Sequence, residues 1–487
     1  MKKQSIWLLV ILIIILVPLI ILLINLQVAD ENVDLQATAV AGEALNTPAL
    51  PATEPANPAT STPEIIPSAT TQAEAVETQS PGPASSQAYV AVESAEGSLT
   101  VSPVTFTEPI SGLEALLQTG LDVVTSETSF GTAVCSIEGV GCPADNCFCS
   151  ATNFWNYLNW DWGQNQWVAS AVGASATTLS NHAFDGWRWQ LFEDTLTPPP
   201  APQLVASTAM SYLLGKQDPA TGGYGSMGST LDFLLAAGAS GTPVNDLKTP
   251  DGAQSLQDYI LLEGAAYAES DAGTAGKLAM GLAAAQVCVP AGTKSPQDYY
   301  DPTTGAYSDR SLFQAFAMLG VLSSGESVPA EAVAYLNSQS LPSGGWAWFP
   351  GEAEDSNTTA IAIQALIASG EPATSPVILS ALTYLQSFQN DDGGFSYSQE
   401  YLGTSDTNST AYVIQAIVAA GQSPVAEAWT KADNNPVFYL LDRQLEDGSF
   451  EWQAGSGSND LATMQSVVAL LYRPYPIHTA GFSECAP

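Results

Sequence analysis

A two-part unit recurs from Ala201 to Tyr475, and an internal period restricts a fold more strongly than local propensity does. The first part reads Tyr-Leu, then Gln, then a Gly-aromatic turn. Its copies are Tyr212-Leu213…Gln217…Gly223-Tyr224, Tyr384-Leu385…Gln389…Gly394-Phe395 and Tyr439-Leu440…Gln444…Gly448-Ser449-Phe450. A fourth, Tyr335-Leu336…Gln339…Gly345-Trp346, fits with a one-residue shift. The second part runs from Asp355 to Gly370 and from Asp406 to Gly421, an acidic residue before an Ala/Ile run that stops at Gly. An N-cap followed by a C-cap marks a helix. In the first part Leu379, Leu382, Leu385 and Phe388 predict one apolar stripe. The second helices are apolar around most of their circumference and should be buried, with the first helices facing solvent. Weaker copies at Gln257–Cys288 and Pro296–Gly320 bring the total to six pairs, which close naturally into an (α/α)6 ring over residues 200–476 with a tail at 477–487.

The other end of the chain predicts the compartment. Lys2 and Lys3 precede an apolar run from Ile6 to Leu26, long enough at 1.5 Å per residue to cross roughly 30 Å of hydrocarbon. A cleavable signal has a shorter apolar core and a small-residue cleavage site. Residues 1–26 therefore read as a retained single-pass anchor, with everything after Leu26 outside the cytoplasm of a cell with a bacterial-type surface. Residues 27–97, rich in Ala, Thr, Pro, Ser and Glu, lack periodic apolar positions and read as a disordered stalk. The formal charge of −38 excludes nucleic acid as a partner.

Residues 98–192 form a compact Cys- and Trp-rich α+β unit. Four cysteines fall in Cys135–Cys149, where disulfides are favoured over a four-thiolate zinc site outside the cytoplasm. Nested pairs, Cys135–Cys149 and Cys142–Cys147, are expected, with Cys288 and Cys485 left to tie the tail to the ring. Tryptophans 155, 160, 162, 167, 187 and 189 serve either a small stapled core or an aromatic binding face.

The turns Gln389-Asn-Asp-Asp-Gly-Gly-Phe395 and Gln444-Leu-Glu-Asp-Gly-Ser-Phe450 resemble the Gln…Gly…Trp repeats of squalene–hopene cyclases. That resemblance implies the toroid superfamily shared with protein prenyltransferase β subunits and cobalamin carriers of the intrinsic factor and transcobalamin type. Cyclases of this kind look to Asp-x-Asp-Asp-Thr-Ala for their acid, whereas this chain has Asp355-Ser356-Asn357-Thr358-Thr359-Ala360 and Asp406-Thr407-Asn408-Ser409-Thr410-Ala411. An Asn cannot supply the strong acid that alkene protonation needs. The zinc set of a prenyltransferase is missing too, since the ring holds one cysteine, Cys288, and no histidine before His478. His182 and His478 have no partner at a suggestive spacing. The Asp-x-Asn-[Ser/Thr]-Thr-Ala helices resemble the carrier branch. So does the aromatic unit, through Phe154-Trp155-Asn156-Tyr157 and Asp185-Gly186-Trp187, which is similar to the small domain that closes over the ligand in those carriers.

These readings predict a non-catalytic surface protein that captures a small, partly apolar molecule between ring mouth and small domain. Cobalamin is the ligand implied by the resemblance, no other cofactor is expected, and an uptake transporter is a candidate partner. Asp355, Asn357, Asp406 and Asn408 either cap helices alone or also face the ligand. Trp346, Trp348, Phe395, Tyr397 and Trp452 either pack adjacent repeats or rim the mouth. Trp155, Tyr157 and Trp187 are the candidates in the small domain. A diverged terpene- or squalene-cyclase-like enzyme and a structural or adhesive scaffold are the alternatives.

Overall fold

The computed structural model describes residues 85–94, 97–129 and 131–485. The expected anchor at 1–26 and the stalk as far as residue 84 lie outside them. Among the described residues no helix is long and apolar enough to cross a membrane.

The first unit contains β1 (Ser86–Glu93), β2 (Leu99–Phe106), α1 (Gly112–Gln118), β3 (Val123–Thr128), β4 (Gly131–Ile137), β5 (Val140–Gly141), β6 (Asn153–Asp161), β7 (Gln166–Ala169) and β8 (Phe184–Leu191). Five strands form one sheet in the order β2-β1-β8-β6-β7, antiparallel except for the β1–β8 pair. β3, β4 and β5 form a second sheet. Side-chain alternation gives the large sheet two apolar faces. Val90, Trp155 and Trp187 join the core shared with α1, whereas Tyr89, Leu158, Trp160 and Phe184 join the core of the ring.

β1 corrects the expected stalk boundary at residue 97. Both of its faces are covered, so Ala88 through Val92 read as a short apolar run instead of an alternating strand. The disulfides differ as well: Cys135 pairs with Cys147 and Cys142 with Cys149, interleaved instead of nested. The β4–β5 hairpin sets Cys142 beside Cys135, with the Cys142 amide donating to the Cys135 carbonyl at 2.8 Å. The following turn then lays Cys147 against Cys135, leaving Cys149 for Cys142.

The helical pairs, outer member first, are α2 (Ala201–Leu214) and α3 (Met227–Ser240), then α4 (Leu256–Ala268) and α5 (Ala272–Ala285). A single 3-10 turn at Pro296–Tyr299 stands outside α6 (Ser311–Ser323). α7 (Ala330–Ser338) and α8 (Ser356–Ala368), α9 (Pro376–Gln386) and α10 (Thr407–Ala419), and α11 (Pro436–Leu441) and α12 (Asp460–Leu470) complete the set. Each inner helix packs on the next, and α12 returns to α3, so the circle is closed. On α9 the buried positions are Ile378, Ala381, Leu382, Tyr384 and Leu385, while Leu379 is 49 % exposed. Steps of three drift around a 3.6-residue helix, which removes Leu379 from the expected stripe.

The corner motif explains how neighbours lock. In the fifth pair the Gln389 amide donates to the Gly393 carbonyl at 3.1 Å and to Trp429 O at 2.7 Å, and the Phe395 amide donates to Thr410 Oγ1 at 3.0 Å. Gly393 has φ +85°, and a Cβ there would lie 2.5 Å from the carbonyl oxygen of Asn435 at the start of α11. One residue on, a Cβ at Gly394 would lie 2.6 Å from the Tyr439 ring, and Gly345 meets Tyr384 and Gly223 meets Tyr259 in the same way, so at these corners a Tyr of the next outer helix packs where there is no side chain.

After α12 the chain turns back as a strap over the C-terminal ends of the inner helices. Tyr475 and Ile477 are buried in the ring core, and the backbone at Gly481 passes Ser324 beyond α6. The Val289 amide donates to Ser483 O at 2.9 Å, the Cys485 amide to Val289 O at 2.8 Å, and Cys288 is bonded to Cys485.

Gly393→Ala meets both the left-handed backbone and a neighbouring carbonyl, and should destabilise the ring by roughly 2–3 kcal/mol. Gly421→Ala, at φ +71° in open space, should lose only about 1 kcal/mol. Chemical denaturation of the two variants measures the difference.

Candidate functional site

Three places gather the residues singled out in the sequence: the corners at the N-termini of α8 and α10, the ring interior and a cleft in the β-rich unit. At the corners Asp355 and Asp406 are helix caps. Asp355 accepts from the Thr358 amide and hydroxyl, both at 2.7 Å, and Asp406 from the Ser409 amide and hydroxyl, both at 2.8 Å. Burial pushes the Asp355 carboxyl up to about 7 and that of Asp406 to about 6, against the opposing pull of these hydrogen bonds. Tyr397, whose hydroxyl burial also raises, stands near both.

The corner aromatics divide. Trp346 and Phe395 have no exposed surface and pack between repeats, which removes them from any mouth. Trp348 is half-buried on Phe349, Tyr397 is half-buried, and Trp452 is 45 % exposed. Asn357 is half-buried at the helix start, and Asn408 donates to Gln465 Oε1 of α12 at 2.6 Å. A groove of about 500 Å³ lies beside this corner, lined by Glu354, Tyr384, Phe388 and Gln399 among others.

The expected hollow is filled. Ala360 through Leu366 have no accessible surface, and seven consecutive residues cover two turns, including the side that faces inward. Polar groups occupy the interior. Lys277 Nζ of α5 sits 2.7 Å from Asp232 Oδ2 of α3, both fully buried. Gln364 of α8 accepts from the Tyr475 amide at 2.8 Å. The small domain packs against the outer layer of the ring. It docks on outer helix α11, where His182 and Trp162 pack on Phe438 and His182 Nε2 lies 2.7 Å from Asp442 Oδ1. His182 therefore has a partner, 260 residues away in sequence and invisible to any spacing argument.

The β-rich unit has a smaller opening of its own. Trp155 pairs across the strands with Trp189 and Tyr157 with Trp187, and these residues line a cleft of about 240 Å³. The Cys135–Cys147 pair, Phe148 and Phe192 complete its walls, Phe192 stacking on Phe154 at 4.7 Å. Phe148 and Phe192 are 75 % and 64 % exposed. The Tyr157 hydroxyl donates to Asp185 Oδ2 at 2.7 Å and Asn159 donates to Oδ1 at 2.8 Å, and burial raises the Asp185 carboxyl to about 6. Trp189, one of the six tryptophans weighed for an aromatic face, lies two residues beyond Trp187 on the same strand and so shares its side of the sheet. Phe148 and Phe192 carry no such signal.

Asp355 and Asp406 bind protons more tightly in the folded chain than in the unfolded one. Their contribution is greatest at low pH and is lost as pH rises through the window from about 4 to about 7. The ring should thus be more stable at pH 5 than at pH 8, by a few kcal/mol on the rule of about 1.4 kcal/mol per tenfold change in proton affinity. Asp355→Asn, which keeps a cap, should flatten that slope in denaturation midpoints measured across pH.

Residues 295–475, the third to sixth pairs, match the family described as the squalene-hopene cyclase C-terminal domain. No curated protein matches the chain. Similar solved structures include the type II terpene cyclase MstE from Scytonema, at 15 % identity over 56 % of this chain and 97 % of that one, with a TM-score of 0.37. Others are a wild-type glycosidase, at 14 % identity over 55 % of this chain and 95 % of that one (TM-score 0.34), and ent-copalyl diphosphate synthase from Streptomyces platensis. The last has 15 % identity over 54 % of this chain and 50 % of that one, with a TM-score of 0.30. The family match over residues 295–475, with the corner motif, supports a squalene cyclase/prenyltransferase-like superfamily for the helical ring.

Proposed function

We propose that this is an extracytoplasmic, surface-anchored binding protein in which the ring is a rigid scaffold and the cleft of the β-rich unit takes the ligand. The observation that carries the reading is the contrast between the two units: exposed Phe148 and Phe192 and half-buried Trp189 line a cleft floored by buried tryptophans in one, and side chains fill the interior of the other. Aromatic walls with a hydroxyl–carboxyl pair behind them suit a flat, partly apolar group that also offers hydrogen bonds. At about 240 Å³ the cleft lies below the usual range for a small-molecule pocket and accepts one ring-sized group. A corrinoid would enter by one edge only. The three disulfides suit an oxidising compartment.

Titrating the full chain with cobalamin, and separately with flat aromatic probes, should change tryptophan emission with micromolar affinity. Phe148→Ala, at an exposed wall position, should weaken binding about tenfold, roughly 1.4 kcal/mol, without moving the melting temperature. Absence of any emission or absorption change at those concentrations rejects the reading.

A second reading, a diverged cyclase-like enzyme, is favoured by the family match and by the buried Asp355. The chemistry opposes it. Protonating an alkene needs an acid stronger than an ordinary carboxyl, and burial makes Asp355 weaker. Incubation with squalene should yield no cyclised product, and a product that Asp355→Asn abolishes would establish the enzyme instead.

A further inference from the structure

The strap from Tyr472 to Cys485 is placed as a stopper is placed. It leaves the end of α12, enters the middle of the ring and comes out at the opposite edge, beside the ends of α5 and α6. At its deepest point Tyr475 is held by groups from separate inner helices. The Tyr475 amide donates to Gln364 Oε1 of α8 at 2.8 Å, its hydroxyl lies beside Gln415 of α10 short of hydrogen-bonding geometry, and Asp232 of α3 is close enough to oppose its ionisation. The surroundings are poor in satisfaction for so buried a place. Asp232 Oδ1, both amide atoms of Gln415 and Ser466 Oγ have no hydrogen-bond partner among the described protein atoms.

The outer end of the strap contrasts with this. Two backbone hydrogen bonds, at Val289 and Cys485, and the Cys288–Cys485 disulfide fasten it to the segment after α5. Both cysteines are half-buried, and Ser483 and Glu484 beside Cys485 are exposed. The bond is within reach of a second protein, and the neighbouring Gln257 amide donates to Cys485 Sγ at 3.5 Å.

We infer that the strap is a redox-released stopper: the Cys288–Cys485 disulfide keeps Tyr475 seated among the polar groups of α3, α8 and α10, and its reduction lets the strap withdraw and opens the ring. The reductant is a protein dithiol of the extracytoplasmic exchange type. One of its thiolates attacks Cys485 Sγ, forming a mixed disulfide while Cys288 leaves as thiolate. Its second thiol then displaces Cys485. Two electrons and two protons pass from the dithiol to the Cys288–Cys485 pair, and the reductant ends as a disulfide. The unpartnered groups around Tyr475 then meet water. The inference stands apart from the ligand assigned to the β-rich cleft.

The Tyr475 amide reports the seat directly. In the full chain carrying Cys288→Ser and Cys485→Ser, hydrogen exchange at Tyr475 and along 472–485 should be at least tenfold faster than in the parent, with the β-rich unit unchanged. Gln364→Ala should speed exchange at Tyr475 while the disulfide is intact, and further when it is absent. Parent-like protection in the cysteine variant overturns the latch, because packing alone then seats the stopper. Should that variant fail to fold, the parent is treated with graded dithiol and its thiols are identified by alkylation and mass spectrometry. Cys288 and Cys485 should be modified in step with Tyr475 exchange. If they resist a dithiol that already reduces Cys135–Cys147, the proposal is wrong.

Discussion

The spacing of the ring depends on one contact, repeated at its corners: a left-handed glycine pressed against the backbone of the next outer helix. Because the contact is backbone on backbone, it sets the distance between repeats without regard to the side chains that fill the wedge. The Thr of the inner helix then receives the amide of the corner aromatic, and the Gln of the outer helix ties the turn to its neighbour. Side-chain chemistry is free to vary above this frame. In this chain that variation places an ion pair and glutamines in the interior of the ring.

That filling includes a fully buried ion pair. An ion pair out of reach of solvent is a poor source of stability, since desolvation offsets most of the attraction. Lys277 and Asp232 are better understood as constraints on which helices face each other. The carboxylates at the corners act locally in the same way, as caps held in a dry environment. Their raised proton affinity follows from burial, and it gives no sign of an acid made strong for catalysis.

Much of the ring was legible because its signals are short-range. Capped, Ala-rich helices and a Gly-aromatic turn announce themselves within some forty residues, and the period repeats them. Failures occurred where partners are distant. Phe395 and Trp346 look like rim residues until the next repeat covers them. His182 meets Asp442 only across a domain junction. The interleaved disulfides depend on where a hairpin lies, and β1 is hidden because both faces of its sheet are occupied. The solid centre is a question of summed side-chain volume, with the strap contributing Tyr475 and Ile477 from outside the repeats, and no periodicity encodes that.

The last corner of the ring meets the first helix. Gln444 donates to Val205 O, 239 residues earlier, and a Cβ at Gly448 would lie 2.6 Å from Thr208 O. An open solenoid must shield its two ends with special repeats, and a circle has none to shield. The same closure means that a nascent chain shows two raw apolar flanks until its final helix pair has left the ribosome. A partial ring therefore always carries an uncovered apolar flank.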